Sequence, residues 1–69
     1  MKEQEIKGVK WNCLFYQPEG DMLVQIYDKQ TDDIIVEDVI RNQEEYDFAL
    51  EVFTTANQNL INTMKEQKQ

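Results

Sequence analysis

The spacing of apolar residues changes once along this chain, at Asn42, and that change predicts the fold class. Before Asn42, apolar and polar residues alternate over three short runs, a period-two pattern typical of β-strands. After it, apolar residues recur at helical spacing for about six turns, and no glycine or proline interrupts them. The sequence therefore predicts an α+β fold in which three strands precede one long helix.

The predicted strands cover residues 8–16, 21–28 and 33–39 and form a three-stranded antiparallel β-meander. The first connection, Gln-Pro-Glu-Gly at 17–20, has proline and glycine where a type I turn favours them. The second, at 29–32, is a weaker turn signal because it contains no glycine. Residues 1–6 are polar, and we expect them to be frayed rather than part of the sheet.

The predicted helix covers residues 43–66 and begins at a capping box, in which Asn42 is the N-cap and Glu45 its partner. Lys65 and Lys68 suit the negative end of its dipole. Its apolar stripe, which we expect to pack on the sheet, consists of Tyr46, Ala49, Leu50, Phe53, Ala56, Leu60, Ile61 and Met64.

A chain of 69 residues makes a single small domain, with residues 1–69 in one unit. Such a domain buries only about 60% of its unfolded surface, so its stability margin is thin. Cys13 is the only cysteine and there is no histidine, which rules out an internal disulfide and the ordinary zinc sites. A partner chain or an unusually regular core is then the expected source of additional stability.

One helix covers only one face of the predicted sheet, which leaves a second, partly apolar face. Four residues of the first two strands are expected there: Leu14, Tyr16, Leu23 and Tyr27. An exposed apolar patch of this kind is typical of an interface, most simply that of a two-fold homodimer. The alternative is a curled sheet that wraps around the helix and leaves little exposed.

Negative charge is confined to one third of the chain. The whole sequence has 14 acids and 7 bases, a net charge of −7, and residues 28–51 alone hold nine acids and two bases. That surplus of seven equals the net charge of the protein. Such a field repels nucleic acid and anionic membranes and attracts basic protein surfaces. We expect a protein partner with a basic surface, no direct nucleic-acid binding and no membrane binding.

No pattern in the sequence indicates catalysis, a cofactor or a metal. Asp28, Asp32 and Asp33 lie close together, but the run lacks the central glycine of a calcium-binding loop. Neighbouring carboxylates such as Glu44 and Glu45 point in different directions on a helix and do not form an acid–base pair. Cys13 has no histidine to activate it and is expected in the core. The sequence predicts a non-enzymatic protein.

The acidic segment 28–51 is the candidate interface. On a helix, Glu44, Asp47 and Glu51 fall within about 60° of one another, nearly opposite the apolar stripe. Phe48 lies beside them, either as an exposed anchor with an acidic surround or as a ring covered by the third strand or the 17–20 turn. The predicted partner-binding residues are Asp32, Asp33, Glu37, Asp38, Glu44, Asp47, Phe48 and Glu51. The other interpretation is that the charge only keeps the protein soluble.

Residues 14–40 resemble the hairpin of the flagellar FlaG proteins, with Asp28, Thr31 and Ile35 at matching positions. The Ile-Pro pair and the long N-terminal segment of that family are missing, so no family is assigned. Size, acidity and the lack of catalytic residues are also similar to those of small phage inhibitors, including anti-CRISPR proteins.

Two functional hypotheses follow from the sequence. The first is a small acidic inhibitor or modulator, possessing a nucleic-acid-mimicking surface, that binds a basic surface of a nucleic-acid-handling protein. The second is a structural or assembly subunit that self-associates through the sheet face. A free thiol, a charged start without an apolar h-region and the lack of a ~20-residue apolar run predict a cytoplasmic protein.

Overall fold

The computed structural model describes residues 2–67, with Lys2 described by its backbone alone, and shows an α+β fold. Four antiparallel strands lie side by side in chain order, and one helix follows them. The elements are β1 (Lys2–Lys7), β2 (Trp11–Gln17), β3 (Met22–Asp28), β4 (Ile34–Ile40) and α1 (Gln43–Gln67). The three predicted strands correspond to β2, β3 and β4, and the predicted helix corresponds to α1. Lys68, predicted at the helix end, lies outside the described residues.

The prediction that residues 1–6 are frayed is wrong for residues 2–6, because β1 is an edge strand of the sheet, and Met1 lies outside the described residues. It pairs antiparallel with β2, so that Ile6 lies opposite Cys13 and Gln4 opposite Phe15. Ile6 is the only apolar residue of β1, and the period-two signal is therefore missing. An edge strand is held by backbone hydrogen bonds, which do not require alternating apolar side chains.

The glycine-free turn between β3 and β4 depends on Asp28. Its carboxylate accepts hydrogen bonds from the backbone N–H groups of Gln30 (2.8 Å) and Thr31 (3.1 Å). These bonds favour the charged form and hold the pKa of Asp28 below its usual value. Asp32 takes the left-handed conformation, with φ of 62°, that glycine often supplies in turns. The segment is therefore a turn stabilised by aspartates.

A β-bulge changes which side chains of β4 face the helix. Ile26 lies opposite Val36 and Tyr27 opposite Ile34, so Ile35 is an extra residue in β4. Strict alternation would place Ile34 and Val36 on one face, but the extra residue breaks the alternation between them. Val36 shares the helix-facing side with Ile26, whereas Ile34 shares the other side with Tyr27.

The helix begins at the predicted cap. Asn42 accepts a hydrogen bond from the backbone N–H of Glu45 through its Oδ1 atom, at 2.9 Å. Glu45 reaches back and accepts from the backbone N–H of Arg41 at 2.8 Å, one residue before the position expected in a capping box. The break between β4 and α1 is thus fixed by side chains of residues 42 and 45.

The core is small and lies between one side of the sheet and α1. Its buried apolar residues are Cys13, Phe15, Val24 and Phe53. A ring of half-buried residues packs around them: Ile6, Trp11, Met22, Ile26, Ile40, Tyr46, Ala49 and Leu50. The Phe15 and Tyr46 rings pack with their centroids 4.5 Å apart, which joins β2 to the first turns of the helix. Cys13 is fully buried, as predicted.

Gly8 sets how closely α1 approaches the sheet. A Cβ atom at this position would lie 2.5 Å from the Trp11 carbonyl oxygen, 2.7 Å from Asn57 Oδ1 and 3.0 Å from Phe53 Cζ. The backbone N–H of Val9 donates to Asn57 Oδ1 at 2.8 Å. Val9 lies in the β1–β2 connection, outside both strands, and is 42% exposed.

Substitution of Gly8 by alanine is expected to lower the free energy of unfolding by about 1–3 kcal/mol, because the added methyl has no space. Urea denaturation measures this. Gly20 is the matched control: its φ is 73°, and a Cβ atom added there would have no neighbour within 4 Å. Gly20→Asn should change stability much less, since asparagine tolerates this conformation. Equal losses in the two variants would contradict close docking at Gly8.

Burial raises the pKa of the Cys13 thiol from 9.0 to about 11. The neutral thiol is favoured in the folded state, so its contribution is fully present below pH 9 and is lost as pH rises toward 11. We expect the free energy of unfolding to fall across this window, and to fall less steeply in Cys13→Ala. Denaturation curves of both proteins at several alkaline pH values test this, and parallel pH profiles would contradict it.

Candidate protein interface

The helix leaves part of the sheet uncovered. An α-helix is about 10–12 Å across, whereas the outer axes of four strands are about 14 Å apart and their side chains extend further. Because α1 is held near β1 and β2 by Gly8, Asn57 and Tyr46, it leaves residues 34–38 of β4 uncovered, whereas Ile40 packs against the core. On the helix-facing side Val36 is therefore 43% exposed. Ile34, on the other face, and the extra residue Ile35 are also exposed, at 55% and 54%.

An open apolar groove of about 480 Å³ runs between α1 and the β3–β4 half of the sheet. The sheet contributes apolar side chains to its floor, namely Val24, Ile26, Val36 and Ile40. The helix forms the other wall with Phe48, Ala49 and Val52. Asp38 and Glu44, both exposed, lie at its rim. The arrangement is an apolar surface bordered by carboxylates.

The Phe48 ring is exposed in this structure. Its side chain is 67% exposed, so neither β4 nor the 17–20 turn covers it. Val52, one turn further along the helix, is 46% exposed. The two side chains form a ridge between the groove and a shallower depression of about 370 Å³, which Glu51 also lines. An exposed aromatic ring beside an apolar groove is typical of a binding hot spot.

The structure brings together some of the predicted site residues and separates others. Asp38, Glu44 and Phe48 line the same groove. Glu51 borders the depression next to it, and Asp47 accepts a hydrogen bond from Gln43 Nε2 at 2.9 Å on the exposed side of the helix.

The remaining predicted acids lie elsewhere. Glu37 is on the opposite face of the sheet, where its carboxylate accepts from Gln25 Nε2 at 2.5 Å. Asp32 and Asp33 belong to the β3–β4 turn, at the end of β4 away from the helix start. Three carboxylates, those of Asp38, Glu44 and Glu45, therefore line the groove, and the other acids lie further from it.

One of the two bases of the acidic segment lies at the groove. Arg41 lines it and contacts Glu45 at 3.7 Å, the only ion pair among the side chains of residues 3–67. Both groups are solvent-accessible, so the pair contributes little to stability. Lys29 lies elsewhere, where its Nζ donates to the Gly8 carbonyl oxygen at 2.9 Å. Asp38, Glu44 and Glu51 form no ion pair among the described residues.

Among residues 2–67, β4 is the last strand of the sheet and pairs only with β3, so its outer edge is open. One backbone N–H of this strand, that of Val39, donates to its neighbour Asp38 Oδ1 at 2.7 Å. Free strand edges carry unpaired donors and acceptors, and acidic side chains are one way of discouraging unwanted pairing there. The free edge and the apolar groove lie on the same side of the molecule.

The second sheet face carries the four residues predicted for self-association. Tyr16 lies opposite Leu23, and Leu14 and Tyr27 occupy neighbouring positions on the same face. All four are half-buried. Because β1 adds a strand next to β2, Glu3 and Glu5 lie beside Tyr16 and Leu14 on this face. The apolar patch is consequently smaller than the sequence predicts.

Hydrogen bonds cross this second face. Tyr27 donates its hydroxyl to Glu5 at 2.5 Å, which raises the pKa of the phenol. Asn12 Nδ2 donates to the Tyr27 hydroxyl oxygen at 3.5 Å. Gln25 Nε2 donates to the Tyr16 hydroxyl oxygen at 3.3 Å as well as to Glu37. The face is therefore a mixed polar surface with a small apolar centre.

Val36, Ile40 and Val52 line the groove but are not among the residues predicted for the site. Their apolar character suggests core positions, and only the position of the helix leaves them accessible. The sequence did contain an indication of such a groove, because a single helix is narrower than a sheet of several strands. The two widths together predict that some strand is left uncovered, but they do not identify that strand.

Neither a metal cluster nor a membrane-spanning helix occurs in the described part of the chain. Residues 2–67 contain no group of three or more side chains placed to hold a metal ion. No helix among them is long and apolar enough to cross a membrane.

Comparison with known proteins assigns no relative. No protein-family model matches the sequence, and neither a curated protein nor a solved structure matches it significantly.

Two phenylalanines on one helix test the exposure of the groove. Phe53 is 3% exposed and Phe48 is 67% exposed. Phe53→Ala should lower the free energy of unfolding by about 3–5 kcal/mol, because it leaves a cavity in the core. Phe48→Ala should change it by no more than about 0.5 kcal/mol. Urea denaturation measures both, and a large loss in Phe48→Ala would show that this ring is part of the core.

Proposed function

We propose that this chain is a non-enzymatic interaction protein, a small acidic inhibitor or modulator that binds a basic surface of a nucleic-acid-handling protein. One observation carries the proposal: an apolar groove, bordered by carboxylates, lies beside an aromatic ring that is 67% exposed. Exposed apolar surface that is rimmed by polar residues is typical of protein–protein interaction sites. The binding surface consists of the groove, Phe48 and the acids around them.

The parts of this surface contribute differently to binding. Phe48 and Val52 supply apolar area, at about 25 cal/mol for each Å² removed from water. Asp38, Glu44 and Glu51 supply electrostatic attraction, which mainly raises the association rate and selects basic partners. Asp47, Asp32 and Asp33 extend the field further from the groove. An apolar centre with a charged surround is the usual anatomy of a protein interface.

The chemistry of the charge favours a nucleic-acid-binding partner. The net charge is −7, and the acids of residues 28–51 account for all of it. Proteins that bind nucleic acid carry grooves of lysine and arginine that contact phosphates. A compact acidic surface competes for such a groove, whereas the same surface repels nucleic acid itself. The proposal places the chain in the cytoplasm, where the reduced thiol of Cys13 persists.

The alternative, an assembly subunit that self-associates through Leu14, Tyr16, Leu23 and Tyr27, has less support. Glu3, Glu5 and Glu37 surround this patch on the same face. A homodimer through it would bring the acids of two copies together and bury polar groups. The groove has a more continuous apolar lining and is the better candidate.

Charge reversal within and outside the acidic segment tests the proposal. Glu44→Lys, Asp47→Lys and Glu51→Lys form one triple variant. Glu3→Lys, Glu19→Lys and Glu66→Lys form the control, because it has the same net charge and its acids lie outside residues 28–51. All six positions are exposed, so we expect both variants to fold.

The measurement is affinity purification from lysate of the source organism, at low and high salt. A partner should be retained by the wild type and the control but bind the first triple variant at least about tenfold more weakly. Binding of the wild type should also weaken with salt. Equal losses in both variants, or salt-insensitive binding, would contradict a local acidic interface.

A further inference from the structure

We propose that the bound segment of the partner is an extended, basic strand that pairs with the free edge of β4 and extends the sheet to five strands. This deepens the proposed function and rests on it, because it assumes that the groove and its acidic rim are the binding surface. The partner segment has a stated chemistry: apolar residues at alternating positions, with lysine or arginine between them.

The edge of β4 supplies the backbone part of this interaction. β4 spans Ile34–Ile40 and has one neighbour, β3, so its other side is open over seven residues. An extended peptide satisfies such an edge with main-chain hydrogen bonds, a common mode of peptide recognition. At Val39 the edge N–H is held by Asp38, and an added strand would take this donor and release the carboxylate.

The groove supplies pockets for alternate side chains of the added strand. Side chains along a strand point alternately to the two faces of a sheet. Every second residue of the added strand would therefore lie on the helix-facing side, next to Val36 and Ile40 of β4. Phe48 and Val52 project from α1 on that side and would cover these residues. Apolar side chains at these positions would fill the groove.

The charges fit a basic strand. Asp38 and Glu44 lie on the groove side, and Glu37 lies on the other face of β4. Lysine or arginine on the outward face of the added strand would lie next to Glu37, and the field of Asp38 and Glu44 would attract the basic strand at longer range. Opposite charges on neighbouring strands stabilise a pair by roughly 0.2–1 kcal/mol.

A second copy of this chain fits the same edge poorly. A two-fold antiparallel pairing centred at the middle of β4 would place Glu37 against Glu37 or against Asp38. Like charges directly opposite one another destabilise a sheet. Each copy also carries a net charge of −7. A bound helix is a weaker candidate as well, because it would leave the backbone edge of β4 unpaired.

The probe is a synthetic seven-residue peptide that alternates lysine and valine, Lys-Val-Lys-Val-Lys-Val-Lys. Its control has the same sequence, with the central valine and the following lysine in the D configuration. Charge and composition are identical, but inverted residues disrupt an extended strand in either direction of pairing. Isothermal titration at moderate salt compares the two peptides, and sedimentation of the chain alone measures its oligomeric state.

The all-L peptide should bind at least about tenfold more tightly, the equivalent of one or two net hydrogen bonds. Phe48→Ala should weaken that binding, whereas Met64→Ala, at an exposed position near the end of the same helix, should not. The unbound chain should stay monomeric.

Equal affinity for the two peptides would overturn strand addition and leave the acidic surface of the proposed function standing. No binding of either peptide would also overturn it. A concentration-dependent dimer that Val36→Lys disrupts would assign the edge to a second copy instead. A different result would overturn the proposed function itself: charge reversal inside and outside residues 28–51 would weaken partner binding equally.

Discussion

The close approach of α1 to the β1–β2 half of the sheet determines the rest of this structure. Gly8 permits it, because a Cβ atom there would collide with Trp11, Asn57 and Phe53. Phe53 fills the core at the same point, and Tyr46 packs on Phe15 near the start of the helix. A single helix held on this side leaves residues 34–38 of β4 uncovered. The open groove and exposed Phe48 follow from where the helix is docked.

The uncovered side of the molecule is also the acidic one. β4 and the first turns of α1 are contiguous in sequence, and their acids fall within residues 28–51. The free strand edge, the apolar groove and the carboxylate rim are therefore neighbours in space. In the proposed function, the apolar surface would provide affinity and the carboxylates would provide selectivity. For this reason we propose an interaction on this side rather than on the mixed polar face around Tyr16.

The sequence predicts the parts of the fold that depend on periodicity. It does not predict features that depend on where a strand lies in the sheet. The helix cap at Asn42 and the buried Cys13 are confirmed, because local hydrogen bonding and alternation indicate them directly. The edge strand β1 has no apolar alternation that would reveal it. In β4, the bulge at Ile35 interrupts the alternation of side chains between the two faces. For the site, exposure of Phe48 is one of two alternatives that the sequence leaves open. The groove itself depends on long-range docking that no local pattern contains.

Photo-crosslinking in cells of the source organism tests the central claim most directly. A photo-reactive benzoylphenylalanine replaces Phe48 in one variant and Tyr16, on the opposite sheet face, in another. The account predicts that position 48 cross-links a nucleic-acid-handling protein at a lysine- or arginine-rich segment, and that position 16 does not. Cross-links from position 16 that equal or exceed those from position 48, or cross-links to a second copy of this chain, would contradict it.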